Sequence, residues 1–204
     1  IQLARKKYNK QRPVLRDAML GHTDFMGGLS ATPFASVVNK ITGSMIFKKI
    51  LEKTLAIPAA RFLPRYTSRT FRNWFKREAK ARQSGFHEQA ALFHGCYINY
   101  NNPELGKDVV KVLNAFGIVV SLLGKERCCG IPLIAGRLFR QARKNAKSNS
   151  DAIARVTEQG MPVVVPSSTC AMTLRDEYPH ILEVDNSAWR SQVDLFSRFI
   201  HRLW

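Results

Sequence analysis

The sequence predicts an α/β protein, a parallel sheet with helices on its faces, preceded by a basic and mainly helical connector. Three observations predict it. From Gln89 onward short apolar runs alternate with amphipathic stretches in the order β-α-β-α-β, the grammar of a parallel sheet with helical crossovers. Residues 1–84 lack that alternation and hold 18 Lys/Arg against 4 Asp/Glu, whereas residues 85–204 hold 14 against 11, so most of the +17 net charge lies in the first part. The 204 residues suffice for one good core and a second small one.

In the connector, Thr32-Pro33 reads as a helix cap followed by proline at the first helical position. Phe34, Val38, Ile41 and Met45 then recur on one face, with Lys40, Lys48, Lys49 and Lys53 in polar positions and an interruption at Gly43. Pro58 and Pro64 separate this stretch from a second helix after Ser68, where Phe71, Trp74 and Phe75 form an aromatic side among Arg69, Arg72, Lys76 and Arg77. Strands are expected over Ala90–His94, Ile118–Leu123 and Met161–Val165, and helices over Pro103–Phe116 and Leu138–Glu158. The expected divisions are a connector over 1–84, a cysteine-bearing domain over 85–186, and over 187–204 the start of a helix leading elsewhere, because Val193 to Ile200 keeps helical spacing. Opening on Ile1 and closing within that pattern, the sequence reads as an excerpt of a longer chain.

No apolar run approaches the roughly 18–20 residues that span a bilayer, and no signal peptide opens the sequence. Four cysteines, two of them adjacent, do not make a secreted disulfide framework, since neighbouring cysteines strain a mutual bond. They suit a metal site in a reducing, cytosolic compartment.

Cys96 follows the first expected strand, Cys128 and Cys129 the second, and Cys170 the third. Open α/β sheets bind ligands outside the carboxyl ends of their strands, so the four thiols are expected to converge on one edge. Thiolate is a soft ligand, and four of them suit an iron–sulfur cluster, expected as the 4Fe–4S type, or zinc. Ordinary buried cysteines are the bland alternative; the adjacent pair and the four strand-end positions weigh against it. Cys170 lies in a strand-to-helix turn, where Ser168 and Thr169 are candidate cofactor contacts and the helix N-terminus favours the thiolate. Gly130 lets the backbone approach a bulky cofactor. His94 and Asn99 are expected behind the ligands, as supporting residues rather than as ligands. The contrasting reading is a nucleic-acid-binding protein with a structural zinc site, using the basic, aromatic stretch Arg61–Arg82 for phosphate contacts and base stacking.

Phe93-His94-Gly95-Cys96, Cys128-Cys129-Gly130 and Ser168-Thr169-Cys170 resemble the cysteine-rich CCG domain shared by the B-type chain of heterodisulfide reductase, the glycolate oxidase iron–sulfur subunit and related oxidoreductases. A closer resemblance, to the C-type chains of anaerobic glycerol-3-phosphate dehydrogenases, rests on Asn99-Tyr100-Asn101-Asn102-Pro103, Cys128 to Ile134 and Leu174 to Pro179, and reaches back through His22-Thr23-Asp24. The resemblance implies an electron-transfer subunit that carries no catalysis of its own. Its implied partners are a flavin-containing catalytic subunit, a membrane-associated subunit, quinone and an anionic membrane surface, without nucleic acid. The implied location is the cytoplasmic face of the inner membrane, as a peripheral protein. A ferredoxin-like region and a second CCG domain are implied outside this excerpt. The family pattern ends in Cys-x-x-Cys; here Thr173 takes the last position, which leaves four thiolates.

Overall fold

The computed structural model describes residues 15–80, 83 and 88–204. Four parallel strands build one sheet: β1 (Glu88–Leu92), β2 (Ile118–Leu122), β3 (Val163–Val165) and β4 (Val193–Leu195), in the order β2-β1-β3-β4. Ala90 stands opposite Val120, Ala91 opposite Val163, and Val163 opposite Val193. The strands are short apolar runs because both faces of the sheet are covered. Ala91, Val163, Val165 and Val193 pack into one core, and Ala90, Leu92, Val120 and Val164 into the other, as the two-residue period of a strand requires.

Helices α1 (Leu15–Gly21), α2 (Thr23–Ser30), α3 (Ala35–Gly43) and α4 (Met45–Leu55) precede the sheet. The expected break at Gly43 is a true helix end. Ser44 is extended there and caps α4, accepting a hydrogen bond from Phe47 N–H at 3.2 Å. The apolar side of this pair faces outward, with Phe34, Ile41, Met45 and Ile46 all more than half exposed.

The second aromatic stretch behaves differently. Thr70 caps α5 (Phe71–Trp74), which continues as a π-turn through Ala79. Phe71 and Phe75 are buried in the core that also holds side chains of β1 and β2, so these two rings are not available for base stacking. The last residue of that stretch, Arg82, lies outside the described residues, as do residues 1–14 of the expected connector.

Between the strands run α6 (Gly95–Tyr100), α7 (Pro103–Ala115), α8 (Ile131–Ala135), α9 (Phe139–Thr157), α10 (Ser168–Met172, extended by a π-turn to Glu177) and the short α11 (Tyr178–His180). Asn102 and Pro103 start α7, the Asn102 side chain accepting from Leu105 N–H. The expectation of a helix start over 187–204 is corrected at Val193–Leu195. That tripeptide is β4, with Val193 fully buried and paired in parallel with β3. The helix, α12, runs from Phe196 to Leu203, and its Arg198 and Arg202 pair with the buried Asp194. A local pattern of apolar spacing cannot separate a three-residue strand from the first turn that follows it. Among the described residues, no helix is long and apolar enough to cross a membrane.

Candidate metal centre

With β2 on one side of β1 and β3 on the other, the chain leaves β1 and β3 in opposite directions, and a crevice opens at the carboxyl ends of the strands. Cys96 enters it from the first turn of α6 after β1. Cys128 and Cys129 enter from the loop after β2, and Cys170 from α10 after β3. Cys128 and Cys129 are buried, Cys96 and Cys170 partly so, and all four are free thiols. The Cys96 and Cys128 sulfurs lie 3.6 Å apart. Cys129 follows Cys128 in the same loop, and a Cβ on Gly95, beside Cys96, would lie 3.4 Å from the Cys170 sulfur, so the third strand end faces the same turn.

Electrostatics differs among the four thiols. Donation to Cys128, then burial, holds the Cys96 thiol far above its usual range, and Cys129 is raised in the same way by donating to Cys128 and Cys170. Cys128 is lowered by the hydrogen bonds it accepts from Cys129 and Cys96, and Cys170 by those from Cys129 and then Ser167. Among the described residues no three His, Cys, Asp or Glu side chains are disposed to hold a single metal ion. The donor chemistry fits an iron–sulfur cluster: four soft sulfurs, gathered and unlinked by disulfide, beside a loop at Gly130 whose positive φ of 101° brings its backbone N–H to Cys128.

Two clamps hold the Arg127 to Gly130 loop. Asn149, fully buried on α9, accepts from Arg127 N–H at 2.8 Å and donates to the Arg127 and Cys128 carbonyls and to the Tyr178 hydroxyl. Asn145, one turn earlier, donates to the same Cys128 carbonyl. On the other side, the buried Glu126 carboxylate accepts from Gly95 N–H at 2.7 Å and His94 N–H at 3.3 Å, tying the turn that carries Cys96 to the loop that carries Cys128. Burial, opposed by those N–H groups, raises Glu126 to about 8. Burial lowers His94 to about 4, so its 3.2 Å contact with Glu126 is a hydrogen bond of the neutral ring rather than an ion pair. The partners assign the tautomer: Nδ1–H faces Gly95 O and Glu126, and Nε2 accepts from Arg72.

The connector reaches the same crevice. Gly27 of α2 packs on the Tyr100 ring with no room for a Cβ, and this contact brings Thr23 Oγ1 to 3.5 Å from the Cys96 sulfur and 3.6 Å from that of Cys128. Asp24 accepts from Cys128 N–H at 3.5 Å. Burial and then the Cys128 charge raise Asp24, while burial and then Asp24 raise Tyr100 to about 12.

Asn99 supports the crevice indirectly by accepting from Arg72 N–H. Ser168 and Thr169 lie in the first turn of α10, which is capped by Ser167, accepting from Cys170 N–H. Sequence reasoning misses Thr23, Asp24, Glu126, Asn145 and Asn149 as parts of the site. The Asn145/Asn149 pair has a readable signal, since both share an i, i+4 face with Ala142, Ala146, Ala152 and Ile153. Thr173 is fully buried, and its hydroxyl donates to Thr169 O at 2.7 Å.

Residues 90–175 match the family described as the cysteine-rich domain, CCG. Over 99% of its length the chain is 48% identical to the C-type chain of anaerobic glycerol-3-phosphate dehydrogenase of Escherichia coli (strain K12), of which it covers 51%. It is 32% identical to lactate utilization protein A of Bacillus pumilus, over 55% of this chain and 44% of that protein. An uncharacterized iron-sulfur protein of Methanococcus maripaludis is 29% identical over 44% of this chain and 18% of that protein. The chain thus spans about half the length of the Escherichia coli relative. No solved structure matches it significantly.

Proposed function

We propose, for a chain that carries a CCG cysteine-rich domain over residues 90–175, that it is part of the iron–sulfur electron-transfer subunit of an anaerobic glycerol-3-phosphate dehydrogenase. The observation that carries the reading is the convergence of four free cysteines from three successive strand ends. Cys96, Cys128, Cys129 and Cys170 would hold the cluster, of the 4Fe–4S type, because the fifth position of the family pattern is Thr173, whose hydroxyl is already bonded within its helix. When bound, such a cluster accepts and releases single electrons. The chain's own residues supply the rest. Asn149 and Glu126 fix the loops, the Gly130 N–H faces the Cys128 sulfur, and Thr23 on α2 adds a hydroxyl that closes the connector side.

In the whole complex electrons arrive from a flavin-containing catalytic subunit that oxidises glycerol 3-phosphate and leave towards membrane quinone, the two-electron chemistry belonging to the flavin. The protein sits peripherally on the cytoplasmic face of the inner membrane, alongside a membrane-associated partner. Support comes from α3 and α4, which turn apolar side chains outward and carry Lys40, Lys48, Lys49 and Lys53. The test uses the full-length protein assembled anaerobically with its catalytic partner. Addition of glycerol 3-phosphate should develop a reduced-cluster EPR signal that each of Cys96→Ser, Cys128→Ser, Cys129→Ser and Cys170→Ser diminishes. A signal unaffected by all four substitutions would remove this domain from the electron path.

A further inference from the structure

The CCG match over residues 90–175 contains all four thiols, yet a side chain from outside that stretch reaches two of them. Thr23, the first residue of α2, sets its hydroxyl 3.5 Å from the Cys96 sulfur and 3.6 Å from that of Cys128, hydrogen-bond distances for an atom as large as sulfur. A threonine hydroxyl inside a helix ordinarily donates to a carbonyl of the preceding turn. Thr42, Thr54, Thr157 and Thr173 all do so, each to the residue four positions earlier. Thr23 opens its helix, no carbonyl of α2 precedes it, and its hydroxyl turns into the crevice. Other contacts fix α2 in place. Asp24 accepts from Cys128 N–H at 3.5 Å, and a Cβ on Gly27 would meet the Tyr100 ring at 2.3 Å, so α2 lies as close to α6 as a glycine permits.

We infer that Thr23 donates its hydroxyl proton to the sulfurs of Cys96 and Cys128 and so raises the reduction potential of the cluster they hold, which makes the connector part of the redox site. The inference deepens the electron-transfer reading and rests on it. A thiolate that ligates iron has no proton to give, so the hydroxyl is the donor. An added electron increases the negative charge on the ligating sulfurs, and a donor held beside them stabilises the reduced form more than the oxidised one.

The test is a redox titration of the full-length, anaerobically purified protein, following by EPR the signal that Cys128→Ser removes, with iron measured on the same samples. Thr23→Val keeps nearly the same shape without the proton. It should shift the ratio of reduced to oxidised cluster about tenfold toward oxidised at a fixed potential, a midpoint lower by about 59 mV for one electron. Thr23→Ser, which keeps the hydroxyl, should titrate with the wild type. Proton ENDOR should show a coupling, removed by exchange into D2O, that the wild-type and serine proteins share and the valine protein lacks. A midpoint unchanged in Thr23→Val, an equal shift in Thr23→Ser, or an exchangeable coupling that survives in Thr23→Val would overturn the inference. Should the valine protein lose iron, Thr23→Ala repeats the comparison with fewer atoms. Loss of iron from both would assign Thr23 to holding the cluster rather than to its potential, and would likewise overturn the inference. If the wild-type protein holds no iron, the electron-transfer reading fails and this inference falls with it. If iron and signal are present and the midpoint does not move, only the role of Thr23 is wrong.

Discussion

At the scale of residues, the thiols are placed by side chains that do not themselves bear sulfur. Asn149 satisfies the amide of Arg127, two successive carbonyls and the Tyr178 hydroxyl, all in a buried setting. Replacing it with leucine removes the partner of the Arg127 N–H and carbonyl and leaves the Cys128 carbonyl to Asn145 alone, each group left unpaired costing about 1–3 kcal/mol where water cannot reach it. Asn149→Leu should therefore lower the denaturation midpoint of the full-length protein and its iron content together, while Asn149→Asp, which keeps the acceptor for Arg127 N–H, should lose less of both. Equal iron retention in all three proteins would show that the loop holds its shape without the clamp. The cysteines themselves are legible in sequence because strand ends can be read from short apolar runs. Glu126, Thr23 and Asp24 are not, since each acts through a contact across more than 30 positions that no local pattern announces.

At the scale of elements, two helical pieces of the connector are docked for different reasons. Phe71 on α5 is fully buried, and a Cβ on Gly106 of α7 would meet its ring at 2.6 Å, so the two helices fit only because Gly106 has no side chain. Phe71→Ala should cost about 3–5 kcal/mol in urea unfolding, the range for emptying an aromatic site. A loss well below about 1 kcal/mol would mean that α5 is not part of the core. Helix α1 is instead tied by charge, its Asp17 pairing with Arg137 at 2.8 Å. The Arg137 guanidinium holds the Asp17 carboxyl below its ordinary value of 3.8, so the stabilisation is present above that pH and is lost as the pH falls through the lower folded value. Protease protection of Leu15–Gly21 should then decline on acidification below pH 3.8, and Arg137→Leu should remove that acid step. Amphipathic periodicity makes both helical regions visible, but it cannot say which apolar face is covered. The Phe71 face packs inside, and the Phe34 to Met45 face lies outside.

At the scale of the whole molecule, charge and chemistry occupy different parts of one chain. The basic helices α3 and α4 present lysines and apolar side chains outward, while the thiols sit at the sheet edge. Each lysine near an anionic surface contributes on the order of 1 kcal/mol, screened by salt. Lys48→Gln, Lys49→Gln and Lys53→Gln combined should release the full-length protein from anionic vesicles at moderate salt with its iron content unchanged. Binding that persists at every salt concentration would exclude an electrostatic attachment. The parallel sheet is readable from the alternation of strands and helices, yet its fourth strand is not, because Val193–Leu195 gains its identity from pairing with β3 rather than from its own three residues. The electron-transfer role turns on whether Cys96, Cys128, Cys129 and Cys170 jointly hold an iron–sulfur cluster. The most direct measurement is iron and acid-labile sulfide analysis with EPR on the anaerobically purified full-length protein and its four single Cys→Ala variants. Each variant is expected to lose iron and sulfide in equal proportion, together with one and the same EPR signal. Stoichiometric zinc without sulfide, or an iron content that no variant changes, would contradict a shared cluster.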